Sequence, residues 1–105
     1  MPFKFRLGSM VMSSAVRDLV RDNTAFARLV VQSLFRHSQG DWGEITEEAK
    51  QANEIALRVG SQLRSVYHAE GLPEIWIITE ADRSSTTVLF PGEYLQFISE
   101  SSLNL

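Results

Sequence analysis

The chain has 105 residues, a formal net charge of −3 at pH 7 and no cysteine. This length suits a single domain, and the absence of cysteine excludes disulfides and thiolate metal sites. Lysine and arginine are scattered along the chain, which disfavours a nucleic-acid partner, and no apolar run approaches the ~20 residues of a membrane helix. The amino terminus does not resemble a signal peptide, so we expect a cytoplasmic protein.

The amino-terminal segment predicts a strand. Apolar and basic residues alternate over 3–7, and this period of two is typical of a half-buried strand. Residues 10–12 can form a second short extended piece. We therefore expect a strand from this region to join the sheet of the domain.

Three helices are predicted next. The serines at 13–14 can cap a short helix, which the segment Asp22-Asn23-Thr24 ends. The same segment can cap a second helix, whose residues 25–37 follow helical spacing up to a stop at Gly40. Thr46 is a good N-cap for a third helix, and Gly60 stands where a left-handed C-cap residue belongs.

The second half of the chain predicts a three-stranded meander. Segments 63–68, 75–80 and 85–90 have strand composition, and short loops at 70–73 and 81–84 join them. The order of elements predicts an α+β domain over 1–94, with two or three helices packed on one face of a small antiparallel sheet. The remaining residues are weakly patterned, and we expect a weakly ordered tail over 95–105.

Loops of four residues would fix the register of the meander. One face would then carry Val66, Ile77 and Val88. The other face would carry Tyr67, Trp76 and Leu89. If no helix covers that second face, it forms an apolar interface, and homodimerisation through it is a hypothesis. If a helix or the amino-terminal strand covers it, these residues belong to the core.

The first cluster of chemically capable side chains lies between the second and third helices. It contains His37, Asp41, Trp42 and Glu44. A histidine with two carboxylates could bind a divalent metal or form an acid–base pair, although the spacing matches no zinc motif. In the structural alternative, glycines make a turn, Asp41 caps backbone amides, and Trp42 packs on the core with its N–H bonded.

The second cluster is the loop that joins the last two predicted strands. It contains Glu80, Asp82, Arg83 and Ser84. A guanidinium beside hydroxyls and carboxylates could bind a phosphate or position a water. In the structural alternative, Asp82 and Ser84 are ordinary turn formers and the exposed charge pair contributes little.

The sequence leaves two further functions open. A metal- or phosphate-dependent hydrolase would use His37, Asp41, Glu44, Asp82 and Arg83, and it requires the turn and the loop to form one cleft. Nucleic-acid binding would use Lys4, Arg6, Arg17, Arg21 and Arg28. The sequence lacks a Gly-rich phosphate loop, a nucleophile elbow and a zinc-protease motif, so we predict no cofactor, and a binding protein is favoured over an enzyme.

Three segments resemble a known family. They are Gly40-Asp41-Trp42-Gly43, Asn53 with Ala56-Leu57, and Ile77 to Ser84 followed by Thr87-Val88-Leu89. In these segments the chain is similar to a family of small bacterial plasmid, phage and genomic-island proteins. Many of its members are labelled as plasmid-related proteins or as modification subunits of type I restriction endonucleases. The resemblance covers about residues 7–94.

The resemblance implies an accessory protein of a mobile element. Together with the missing catalytic motifs, it favours a protein that binds an unidentified protein partner through the Gly40–Glu44 turn and the Ala81–Ser85 hairpin and that modulates a restriction or other defence system. A modification subunit is an adenine methyltransferase, which needs a cofactor-binding α/β domain and an Asn-Pro-Pro-Tyr-type motif, and this chain has neither. It also reads Pro91-Gly92-Glu93-Tyr94 where the family pattern is Pro-Glu-Glu-Tyr. No catalytic residue carries over from the family.

Overall fold

The computed structural model describes residues 3–103, with side chains described for residues 3–100. The elements in chain order are β1 (Ser9–Met12), α1 (Ser14–Asp22), α2 (Thr24–Ser38), α3 (Glu47–Val59), β2 (Leu63–Tyr67), β3 (Ile75–Thr79), β4 (Ser85–Leu89), a 3₁₀ turn (Pro91–Glu93) and α4 (Tyr94–Leu103). The structure confirms the α+β prediction. Within the described range, no helix is long and apolar enough to cross a membrane.

The first three helices begin and end where the sequence predicts. Side-chain oxygens of Ser13, Asn23 and Thr46 accept hydrogen bonds from backbone N–H groups in the first turns of α1, α2 and α3. Gly60 ends α3 in the left-handed conformation, with φ 77°, and its N–H donates to the carbonyl of Ala56.

The sheet is mixed, with strand order β1-β4-β3-β2. β2, β3 and β4 form the predicted antiparallel meander, while β1 pairs with β4 in parallel. The amino-terminal strand is therefore the short piece at Ser9–Met12, and the strand predicted over 3–7 is wrong. Phe5 instead packs its ring against His37 and Trp42, and Lys4 and Arg6 are exposed. A loop that packs one side on the protein produces the same alternation as a strand.

The register of β3 with β4 is as predicted, but that of β2 with β3 is shifted by one residue. Ile77 lies opposite Val88, whereas Val66 lies opposite Trp76 and Tyr67 lies opposite Ile75. Seven residues separate β2 from β3, three more than the predicted loop. Because side chains alternate between faces, this shift moves Tyr67 to the face opposite Trp76.

Helices α1 and α2 cover the face that carries Tyr67. The buried cluster there comprises Val16 of α1, Phe26, Leu29 and Val30 of α2, and Tyr67, Ile75, Ile77 and Val88 of the sheet. Tyr67 is fully buried and donates a hydrogen bond of 2.7 Å from its hydroxyl to the backbone carbonyl of Asp41. It is a core residue and not part of an exposed interface.

Helix α4 lies on the opposite face, so helices cover both faces of the sheet and not one as predicted. The ring centroid of Trp76 is 5.0 Å from that of Tyr94, and Leu89 is buried. The segment expected to be a weakly ordered tail is thus helical over Tyr94–Leu103, and residues 104–105 lie outside the described residues. Of the predicted interface residues, only Trp76 keeps a partly exposed side chain.

Candidate functional site

His37 stands at the centre of a buried chain of hydrogen bonds. Its Nε2 lies 2.8 Å from Oγ1 of Thr79, which in turn lies 2.7 Å from Oγ1 of Thr86. The Thr86 hydroxyl donates to the carbonyl of Leu7 at 2.7 Å. On the other side of the ring, Nδ1 is hydrogen-bonded to the Ser65 hydroxyl.

The Leu7 carbonyl fixes the donor and acceptor of every hydrogen bond in this series, because a carbonyl can only accept. The Thr86 hydroxyl donates its proton to the Leu7 carbonyl, so it accepts a hydrogen bond from the Thr79 hydroxyl. Thr79 therefore accepts from the Nε2–H of His37, and Nδ1 accepts from Ser65. The imidazole is neutral and carries its proton on Nε2.

Burial keeps the imidazole of His37 neutral. The side chain is fully buried, and desolvation, assisted by the positive charge of Arg83, lowers the pKa of His37 to about 3. A ring with both nitrogens bonded and no exposure cannot exchange protons with a substrate. His37 therefore joins α2 to the sheet and does not act as a general base.

The turn after α2 is held by its own polar groups. Arg36 forms a two-point ion pair with Asp41, with N···O distances of 2.7 and 3.1 Å. This guanidinium holds the pKa of the Asp41 carboxyl below its usual value. Asp41 also accepts from the N–H of Gly43 at 3.3 Å, while the indole N–H of buried Trp42 donates to the Glu54 carboxylate at 2.9 Å. The structural interpretation of Asp41 and Trp42 is confirmed.

Arg83 binds backbone carbonyls in place of an anion. Its Nη1 donates to the carbonyls of Ser61 and Glu80 at 2.6 and 3.0 Å, and its Nη2 donates to that of Ala56 at 3.0 Å. These contacts tie the β3–β4 loop to the carboxyl end of α3, where a cation is favoured. Arg83 itself adopts the left-handed conformation, with φ 62°.

The other polar residues of this loop form local contacts. The exposed Asp82 carboxylate accepts from the N–H of Ser84 at 2.9 Å, which is the turn-forming role predicted for it. The Glu80 carboxylate lies 3.5 Å from the amide nitrogen of Gln62. Glu44 is exposed.

The turn and the loop do not enclose a shared polar cleft. The Phe5 ring lies between them, 6.1 Å from the Trp42 ring and 5.8 Å from the guanidinium carbon of Arg83. Among residues 3–103, no group of three histidine, aspartate or glutamate side chains is placed to hold a metal. The structure therefore brings the two clusters near each other around the apolar ring of Phe5 and not around a polar cleft.

The two edges of the sheet differ, and this difference defines the candidate site. At the β2 edge, the Asn53 side chain pairs with both backbone groups of Arg64, at 2.7 and 3.2 Å. Two residues further along β2, the N–H of Glu44 donates to the Val66 carbonyl and the Val66 N–H donates to the Trp42 carbonyl. This edge is sealed by α3 and by the turn.

The β1 edge is open. The N–H of Ser9 donates to the carbonyl of Ser84, just before β4, and that of Ser13 donates to the carbonyl of Val88 in β4. The alternating residues Met10 and Met12 therefore direct their backbone groups away from the sheet. No second strand among the described residues pairs with β1. The strand carries no charge and no proline, and Met10 and Val11 are 48% and 45% exposed. Such an edge lacks the charged side chains and the proline that often prevent pairing with another chain.

Two surface depressions flank β1, one at each end. The first has a volume of about 520 Å³, is lined by Val11, Leu89 and Phe97, and has Glu93 and Glu100 on its walls. The second has a volume of about 610 Å³ and is lined by Phe3, Arg6, Leu7 and Met10. Neither includes His37, Asp41 or Arg83.

Sequence reasoning placed Met10–Met12 in an extended piece but did not identify it as a site. The absence of charge was not a specific signal, because the uncharged run extends over residues 7–16 and similar runs occur at 29–35 and 84–92. The position of Met10–Met12 at an edge depends on which strand it pairs with, and only the tertiary structure gives that.

Comparison with protein-family models, with curated proteins and with solved structures finds no significant match to this chain.

Proposed function

We propose that this chain is a non-catalytic interaction protein that binds an extended segment of a partner protein along β1. The observation that carries the proposal is the contrast between the two sheet edges, one sealed by Asn53 and the turn, the other open at Met10 and Met12. Strand addition to an open edge is a recurrent mode of peptide recognition, in which backbone hydrogen bonds supply affinity and pockets for alternate side chains supply specificity.

The chemistry of the partner segment follows from the surroundings of β1. Met10 and Met12 offer two N–H donors and two carbonyl acceptors to an added strand. The apolar linings of the two depressions favour apolar side chains at its ends. Glu93 and Glu100 favour a basic residue beside α4, and Arg6 favours an acidic residue at the opposite end. The partner segment is therefore extended and mostly apolar, with a basic residue at the end beside α4 and an acidic residue at the end beside Arg6.

A second copy of this chain is a weaker occupant of the edge. β1 has only four residues, whereas stable interfaces bury roughly 1,200 to 2,000 Å² in total. We therefore place the homodimer hypothesis second, as an outcome that the experiment below would reveal.

The biological setting is part of the same proposal. The family resemblance of the turn, of Asn53 and of the β3–β4 loop supports a cytoplasmic accessory protein of a mobile element. Its partner would then belong to a restriction or other defence system. The resembling segments seal the β2 edge and brace the loop, so they maintain the fold that presents β1.

Selection from a displayed library of random peptides on the intact protein tests the proposal. We expect the selected peptides to be apolar, with a basic residue toward one end, and to shift the backbone NMR resonances of β1. Met10→Pro removes only an outward N–H, because the β1 groups that bond β4 belong to the neighbouring residues. This variant should bind the peptides at least about tenfold more weakly.

The matched control is Met10→Ala, which shortens the side chain and keeps the N–H; it should retain affinity within about threefold if backbone pairing dominates. Peptides that shift resonances elsewhere, or that bind Met10→Pro as well as the wild type, would overturn the proposal. A dimer in analytical ultracentrifugation that Met10→Pro dissociates would identify a second copy as the occupant of the edge.

A further inference from the structure

A groove runs along the opposite side of the molecule, between α3 and the sheet. Its volume is about 490 Å³, within the range of small-molecule sites. Apolar side chains make up much of its lining, including Ala49, Ala52, Ile55 and Val66, and Trp76 closes one side. β2 and β1 are the two opposite edges of the sheet, so this groove is separate from the β1 edge.

Arg64 supplies a positive charge to this groove. Its Nη1 donates to the Tyr94 hydroxyl at 2.8 Å, and its guanidinium carbon lies 5.7 Å from the centre of the Tyr94 ring. These two contacts with α4 fix the orientation of the side chain. Within the described residues Arg64 forms no ion pair, and its remaining N–H groups have no protein acceptor.

The strand places Arg64 on the side of the sheet that lines the groove. Asn53 holds both backbone groups of Arg64 against α3, and Val66 has the same parity, so both side chains lie on the face that carries Trp76. The described lining contains no acidic side chain that could neutralise the guanidinium. An apolar groove with one unpaired, oriented guanidinium is complementary to an apolar molecule with one anionic group.

We infer that this groove binds a small apolar monocarboxylate, with its hydrocarbon body against the alanines and Trp76 and its carboxylate on Arg64. A planar guanidinium can donate two parallel hydrogen bonds to a carboxylate, and the apolar body gains from leaving water. The inference does not depend on the proposed function, because it concerns neither β1 nor a protein partner.

The test uses 4-phenylbutyrate as the probe and 4-phenylbutanol as its neutral counterpart, titrated into the full chain. The binding constants come from calorimetry and the location from backbone NMR shifts. We expect saturable binding of 4-phenylbutyrate with a dissociation constant at or below roughly 1 mM, and shifts centred on Ala52, Val66 and Trp76. The alcohol should bind at least about tenfold more weakly, because it cannot form the charged pair.

Two arginine variants separate the site from general charge effects. Arg64→Gln should weaken 4-phenylbutyrate at least about tenfold, whereas Arg58→Gln, an exposed α3 residue outside the groove lining, should change it less than about twofold. If Arg64→Gln lowers the unfolding temperature, Ala52→Phe provides a second variant, since it fills the groove from an exposed position.

Three binding results would overturn the inference. They are no saturable binding at several millimolar probe, equal affinity for the acid and the alcohol, or equal effects of Arg64→Gln and Arg58→Gln. Shifts centred on β1 would place the probe at the strand-addition edge instead and would also overturn the inference, while leaving the proposed function intact.

Discussion

Nε2 of His37 lies 2.8 Å from Oγ1 of Thr79, and this contact joins α2 to the central strand β3 inside the core. Together with the Ser65 hydroxyl on the other ring nitrogen, it accounts for both polar atoms of a fully buried imidazole. A neutral histidine in this position makes the free energy of unfolding depend on pH.

Stability should fall as the pH drops from 6.5 toward 3. The folded-state pKa of His37 is about 3, below the ordinary value of 6.5, so the unfolded chain binds the extra proton in this interval. The contribution of His37 is complete above pH 6.5 and decreases by about 1.4 kcal/mol for each pH unit below it. Urea unfolding at pH 7, 6 and 5 measures this slope. His37→Gln should reduce it, while the exposed His68→Gln serves as the control, and equal slopes in both variants would contradict the assignment.

Removing the Ser33 hydroxyl should stabilise the protein. Ser33 is 1% exposed, and its Oγ has no hydrogen-bond partner among the described residues. An unsatisfied buried hydroxyl costs about 1 to 3 kcal/mol, so Ser33→Ala should raise the free energy of unfolding by about 1 kcal/mol after the small loss of packing. Ser38→Ala is the matched control, because its hydroxyl donates to the Phe35 carbonyl at 2.7 Å and its loss should destabilise. A destabilised Ser33→Ala would refute the prediction.

Arg83 should be irreplaceable by lysine. Its two terminal nitrogens reach the carbonyls of Ala56, Ser61 and Glu80 in a fixed fork, which a single ammonium cannot reproduce. We expect Arg83→Met to lower the free energy of unfolding by about 2 kcal/mol and Arg83→Lys to recover less than half of that loss. Chemical denaturation of the three proteins decides this, and full recovery by lysine would show that charge alone matters.

Loss of the Asn53 amide should unseal the β2 edge. Asn53→Ala leaves the backbone N–H and carbonyl of Arg64 without a partner, so we expect a loss of about 1 to 3 kcal/mol. An edge with free backbone groups also favours pairing with another chain, which light scattering at rising protein concentration would detect. Gln51→Ala, on an exposed position of the same helix, should change stability by less than about 0.5 kcal/mol. Equal behaviour of the two variants would show that α3 does not seal the edge.

Two glycines with the same backbone conformation should tolerate alanine very differently. Gly43 and Gly71 have φ of 76° and 79°, so an added Cβ strains the backbone similarly at both. At Gly43 that Cβ would lie 1.9 Å from the Val66 carbonyl oxygen, whereas at Gly71 nothing beyond the two adjoining residues lies within 4 Å of it. We expect Gly43→Ala to lose at least about 2 kcal/mol more than Gly71→Ala in thermal or urea unfolding. Similar losses would mean that the turn moves away from β2 without cost.

The register of β2 shows how far pattern reasoning extends. Arg64, Val66 and His68 are two residues apart and therefore share one face of β2. Because arginine and histidine are polar, that face is the more exposed one, and the alternation alone could have placed Tyr67 in the core. The predicted register followed loop length, and the loop from His68 to Glu74 is longer than four residues. Between β3 and β4 the N–H of Glu80 donates to the carbonyl of Ser85, which leaves a loop of four residues, 81–84, and the predicted pairs are found.

The sequence predicted the fold better than it predicted the candidate site. Hydroxyls, charges and a histidine drew attention to the turn and the β3–β4 loop, yet the structure uses those groups as internal contacts. A polar residue is available for function only if its hydrogen-bonding groups are not already satisfied within the protein, and a linear pattern does not contain that information.

The sequence by itself determined the α+β class, the caps of α1 to α3 and the existence of the meander, because these depend on residues within a few positions of one another. Only the tertiary structure decided that α4 covers the second face, that β1 lies parallel to β4, and that one edge is sealed while the other is open. Those features depend on contacts between segments as far apart as Leu7 and Thr86, whose pairing follows from the packing of the whole chain and not from local preference.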